Sequence, residues 1–177
     1  MIKAIQWTLA MVGFLALLVV GVGLFLPTQF AVERSIVIDA PADRVFNYLV
    51  DPREWKKWTV WNQRDPKMEI DYSGPPFGQG ARWSWKSATE GEGSMTFSRV
   101  VPNERLGYEL LFPEFGMKSE GELILVPAGS ATRVTWTSKG DVGRNPLKRY
   151  LAMAMDRMVG PDFEAGLANL KRVAERP

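Results

Sequence analysis

Three rhythms of apolar and polar positions divide the chain. From Ala4 to Ala31 no residue is charged, and Trp7 to Leu26 is apolar on every helical face. A helix rises about 1.5 Å per residue, so about 20 apolar residues cross a hydrocarbon core of about 30 Å. From Phe30 to Ser138 the rhythm is two. Phe30 to Ile38 reads as a strand that ends at Asp39-Ala40-Pro41. Pro41 suits the first turn of a helix, and Val45, Phe46 and Leu49 give that helix an apolar face. Asp51-Pro52 breaks it, and Arg53 to Trp58 reads as a second short helix. Six strand signals follow in series: 68–72, 81–86, 95–98, 106–112, 117–126 and 132–138. Their alternation predicts antiparallel strands with one face on a core and one in water. From Leu147 the rhythm becomes helical through Tyr150, Leu151, Ala154, Met155 and Met158. Gly160-Pro161 should interrupt or kink that helix, and Phe163, Leu167, Leu170 and Val173 continue its stripe. The order predicts an α+β fold: a curved antiparallel sheet around a long C-terminal helix, preceded by one transmembrane helix.

The first segment is expected to be a membrane anchor through residues 4–26, within a unit of residues 1–30. A core helix would show one apolar stripe, and this one is apolar all round. A cleaved signal peptide is the rival. Lys3 supplies its positive start, but the apolar run exceeds the usual 7 to 15 residues. The exit Leu26-Pro27-Thr28-Gln29 has no small-x-small cleavage pattern. The basic residues on either side give only a weak bias; a very short N-terminal tail before a large C-terminal domain favours the N-terminus inside, and hence a plasma (inner) membrane protein with its C-terminal domain outside the cytoplasm. Residues 31–177 are expected to form one domain.

Composition narrows the chemistry. The chain has 22 Lys and Arg against 20 Asp and Glu, with no basic stripe interleaved with aromatics, so nucleic acid is not an expected partner. It contains no cysteine and no histidine. That removes disulfides, thiol and imidazole catalysis, and thiolate or imidazole metal sites. No cofactor is expected. The glycine-rich loop at 74–80 lacks the Gly-Lys-Ser/Thr ending of a phosphate loop and reads as a connection between strands.

The stretches SIVIDAPADRVFNYLVDPREWKKWTVW, GEGSMTFSRVVPNERLGYELLF, TRVTWTSKGD and VGPDFEAGLANLKRVAE carry a family resemblance. In their order and spacing they resemble the START-like SRPBCC superfamily, whose members are often labelled polyketide cyclase/dehydrase. The resemblance runs from about residue 32 to 175 and leaves the apolar N-terminus outside. It implies a helix-grip fold with a hydrophobic cavity between sheet and C-terminal helix. It also implies binding of lipids, polyketides or similar apolar molecules, on which some members act.

Strand parity and the resemblance together nominate a cavity. Trp83, Trp85, Met95, Phe97, Tyr108, Leu110 and Trp136 share inward parity. Leu151, Met155 and Met158 before the Gly-Pro pair, and Phe163 and Leu167 after it, would face them. The same residues also suit a solid core. Trp55, Trp58 and Trp61 form a W-x-x-W-x-x-W motif that either closes a cavity mouth, dips into a membrane interface, or packs a short helix onto the sheet. Arg99 shares parity with Met95 and Phe97; it either reaches the mouth or is turned out by a bulge. Tyr108 is the inward candidate for chemistry, whereas Glu109 and Asp71 have outward parity, as do Arg82, Lys86 and Arg133. The leading expectation is a membrane-anchored, non-catalytic binding domain for a hydrophobic small molecule or lipid. A polyketide cyclase-type enzyme and an envelope interaction module without ligand are the alternatives. Protein partners are not indicated.

Overall fold

Helix α1 (Ile2–Gly23) forms where, after Lys3, no charge and no proline interrupts the chain. The computed structural model describes residues 2–114 and 116–176; residues 1, 115 and 177 of the two expected units lie outside the described residues. Its 22 residues make α1 long and apolar enough to cross a membrane, and its side chains face outward all round. Past Gly23 the helix unwinds through turns at Leu24–Leu26, and Pro27 precedes the first strand.

The seven strands are β1 (Gln29–Ile38), β2 (Glu69–Ser73), β3 (Arg82–Ser87), β4 (Gly91–Val101), β5 (Arg105–Phe112), β6 (Met117–Ala128) and β7 (Ala131–Asp141). They form one antiparallel sheet in the order β1-β7-β6-β5-β4-β3-β2. The expected six-strand meander is present, and β1 joins it beside β7. Three glycines set its inner surface. Gly93, Gly121 and Gly140 lie directly across from Trp85, Tyr108 and Phe30. A Cβ at those glycines would stand 2.3, 2.1 and 2.7 Å from the facing rings. Each aromatic therefore lies flat across its neighbour strand instead of standing up from the sheet.

Between β1 and β2 the chain forms α2 (Ala42–Val50), a 3-10 turn (Trp55–Lys57) and α3 (Trp61–Arg64). The expected single helix over Arg53–Trp58 is thus replaced by a tighter turn. With three residues per turn, positions i and i+3 eclipse, so Trp55 and Trp58 drive into the core side by side.

Helix α4 (Pro146–Ala174) starts at Asn145, whose side chain accepts from the Leu147 N–H at 2.9 Å, with Pro146 in the first turn. Of the interruption or kink expected at Gly160-Pro161, the interruption does not occur: α4 is one helix of 29 residues. Tertiary contacts on both sides outweigh the one missing N–H. Arg34 on β1 pairs with Asp156 at 2.8 Å and with Glu164, one turn before and one turn after Gly160. Its guanidinium lies where a Gly160 Cβ would be. Phe163 stacks on Trp136 with ring centroids 3.9 Å apart. The sheet therefore grips α4 as the helix-grip fold requires, over a core that includes Ile38, Leu49, Leu106, Leu123, Leu167 and Leu170.

Candidate ligand pocket

The middle of the grip is solid. Trp55 sits at its centre, with Trp58, Trp83, Phe97, Tyr108 and Trp136 all within 6.0 Å between ring centroids. Three of the buried indoles have a polar partner inside the fold. Trp55 Nε1 donates to the Leu49 carbonyl at 2.8 Å, and Trp58 Nε1 to the Tyr48 carbonyl at 3.1 Å. Trp136 Nε1 donates to Tyr108 Oη at 2.8 Å, and that hydroxyl donates to the Thr137 carbonyl at 3.1 Å. Burial pushes the Tyr108 phenol well above its ordinary range, partly offset by hydrogen bonds to Trp136 and Ser138. Tyr108 is a neutral, fully engaged core residue, with no free proton for a substrate.

The free space lies to one side, between the α3 segment and strands β2 to β5. This cavity has a volume of about 80 Å³. Trp55, Trp61, Trp83, Trp85, Met95 and Leu110 line it, as do Thr59, Asn62, Met68, Ile70, Glu90 and Phe112. The walls are aromatic and aliphatic, and the polar groups cluster at α3. Thr59 Oγ1 donates to Asn62 Oδ1 at 3.1 Å. Trp61 Nε1 donates to Asp162 Oδ2 on α4 at 3.0 Å. Arg64 pairs with the same Asp162 and, at 3.4 Å, with Glu90. Glu90 is the one carboxylate in the lining. Burial lifts its carboxyl above the ordinary glutamate range; Arg64 opposes this, and Asp162 and Asp65 add to it.

Of the twelve expected cavity residues, four therefore meet at the pocket: Trp83, Trp85, Met95 and Leu110. Phe97, Tyr108, Trp136, Met155, Phe163 and Leu167 are buried in the solid centre, and Leu151 is half-buried against it. Met158 is 59 % exposed, so it leaves the expected cavity face for the outside of α4. The expected mouth is also redrawn. Trp55 and Trp58 are interior, because the 3-10 turn points both inward, and Trp61 alone stands at the rim. Arg99 is on the outer face. The register passes from Phe97–Tyr108 to Arg99–Gly107, so Ser98 is an extra residue that flips the parity after it.

Glu90 and Arg34 escaped sequence reasoning. Glu90 sits in the Thr89-Glu90-Gly91 bend, where a charged residue normally reads as solvated. Arg34 had a signal: it occupies core parity in Phe30-Val32-Arg34-Ile36-Ile38, and an inward arginine demands carboxylates. Among the described residues, no group of three or more acidic side chains is arranged to hold a metal ion.

Residues 29–175 match the family model described as polyketide cyclase / dehydrase and lipid transport. The chain belongs to this family. It is of the SRPBCC type expected from the sequence, and α1 precedes the matched region. Among solved structures, this family member resembles protein CV1439 from Chromobacterium violaceum at 17% identity and a TM-score of 0.58, over 83% of this chain and 98% of that one. It also resembles norcoclaurine synthase from Thalictrum flavum in complex with dopamine and hydroxybenzaldehyde, at 12% identity and a TM-score of 0.64, over 88% and 93%. The Aha1 dimer from Colwellia psychrerythraea matches at 19% identity and a TM-score of 0.56, over 82% and 96%. At these identities the likeness is one of fold. None of the curated protein sequences matches the chain.

Proposed function

We propose that this chain is a membrane-tethered binding domain that takes up a small hydrophobic molecule, or one end of a lipid, and carries out no reaction on it. The pocket beneath α3 supports this reading most. It combines aromatic and methionine walls with a few polar groups at one side, the usual chemistry of a site for an apolar ligand. Its volume of about 80 Å³ is well below the roughly 300–1,000 Å³ of typical ligand sites. A larger ligand therefore requires the Trp61–Arg64 segment to move outward. That segment is one turn long and is held to the rest by Trp61–Asp162, Arg64–Asp162 and Arg64–Glu90. The apolar α1 supports tethering, which raises the concentration of the domain near bilayer-dissolved ligand.

The test is mass spectrometry of what co-purifies with the full-length protein from its native membranes. An apolar molecule above background, lost when Trp61→Ala and Glu90→Gln are introduced together, is the expected result. No such molecule in repeated preparations overturns the proposal. Glu90 favours a second reading, a family-type reaction, because a carboxyl whose pKa is raised by burial in an apolar pocket suits proton transfer. If Glu90→Gln alone retains a molecule of different mass from that held by the wild type, the chain acts on its ligand and the enzyme reading replaces the carrier.

A further inference from the structure

We propose that the first two turns of α4, with the Leu24–Leu26 exit, lie in the headgroup layer of the bilayer, so that the pocket end of the sheet faces the membrane. This rests on the reading of α1 as a span. The placement follows from how α4 meets α1. Tyr150 Oη donates to the Val19 carbonyl at 2.8 Å, so the second turn of α4 lies beside the last turn of α1 and not beyond it. A Cβ on Gly23 would stand 2.6 Å from the Pro146 carbonyl. Arg149 donates to the carbonyls of Leu24 and, at 3.3 Å, Leu26. With α1 filling the hydrocarbon, residues 146–150 are carried to its boundary.

The side chains there suit that layer. Phe25 is 91 % exposed, Leu147 57 % and Met153 58 %, and Tyr150 is exposed between them on the same side of α4. They lie where α4 meets the end of α1. Residues 142–155 carry Arg144, Lys148 and Arg149 and no carboxylate. Apolar side chains flanked by cations match an interface rich in anionic lipid.

The register carries the same end of the sheet to the membrane. Gln29 pairs with Asp141, Asp141 with Lys118, and Met117 with Phe112. Leu111 pairs with Ser94, Gly91 with Ser87, and Lys86 with Glu69. Every one of these strand ends lies at the side from which α1 leaves. Ile70, Trp85, Glu90 and Phe112 of the pocket belong to that row. A ligand dissolved in the bilayer then meets the pocket without crossing water.

The absence of native cysteine makes the test direct. Full-length Met153→Cys, Val12→Cys and Arg133→Cys proteins carry an environment-sensitive fluorophore in nanodiscs of phosphatidylcholine and phosphatidylglycerol. Brominated acyl chains in the same lipids act as quenchers. Position 12 reports α1, and position 133 reports the far end of the sheet. The proposal expects blue-shifted, lipid-quenched emission at 12 and 153 and neither effect at 133. Quenching at 12 but not 153 overturns the docking and leaves the anchor standing. No quenching at 12 removes the anchor and the docking with it. Blue-shifted emission at 153 without lipid quenching means a protein neighbour, such as a second copy, covers the face, and also overturns the docking.

Discussion

Tryptophan does two different jobs on the two sides of the grip. In the centre, Trp55, Trp58 and Trp136 hand their N–H groups to carbonyls and a hydroxyl inside the fold. At the pocket, Trp61 hands its N–H to Asp162, a partly buried carboxylate on another element. The first arrangement closes the interior around its own polar atoms. The second leaves a half-buried ring held by a partner that water can replace. Burial alone does not separate the two arrangements; the identity of the hydrogen-bond partner does.

The sharpest way to break this contrast is at Gly121. A Cβ there would stand 2.1 Å from the Tyr108 ring and 2.5 Å from the Thr137 carbonyl, and neither can retreat. Gly121→Ala is expected to cost about 3 kcal/mol in urea denaturation. A neutral result would mean that the centre has slack. Next is Tyr108→Phe, which strips the Trp136 N–H of its acceptor inside the core. The expected loss is about 1–3 kcal/mol, with the apolar probe bound as before. Trp61→Ala reverses that pattern. Stability falls by about 1 kcal/mol, while the affinity or association rate for an apolar fluorescent probe changes severalfold. Unchanged probe binding would return Trp61 to the packing residues.

The smallest effects are in pH. Folding lifts the Glu90 carboxyl above its unfolded value. Its contribution to stability is therefore present at low pH and is lost as pH rises through the raised folded value. Asp156 has the opposite sign, because its hydrogen bond to Arg34 lowers its pKa. Its contribution is present above the ordinary aspartate value of about 3.9 and is lost as pH falls through the lowered folded value. Urea midpoints across acid pH should therefore shift oppositely in Glu90→Gln and Asp156→Asn. Parallel shifts would show that the pocket carboxyl is not desolvated.

Much of the fold was legible because period-two strands and a period-3.6 helix are written plainly in residues 30–174. The antiparallel sheet and the gripping helix follow from them. The site was less legible for three physical reasons. Parity survives only until the chain inserts a residue, and Ser98 moved Arg99 to the other face. A 3-10 turn and an α-helix share the same W-x-x-W spacing, yet they differ in how far both rings turn inward. Inward parity also cannot tell a filled core from a hollow one. Phe97 and Met95 alternate alike, but only Met95 borders free space, because Trp55 fills the volume beside Phe97. The Gly160-Pro161 pair taught the converse. Local propensity marked a break that Arg34, Asp156 and Glu164 hold shut from either side.

That clamp also bears on the chain's solubility beside its own copies. β1 is an edge of the open sheet, and edges invite strands from neighbouring molecules to add on. An inward-pointing charge in an edge strand is one of the devices that disfavour such additions, and Arg34 is one. Arg34 thus marks this edge as belonging to its own helix, and makes aggregation through it electrostatically unfavourable.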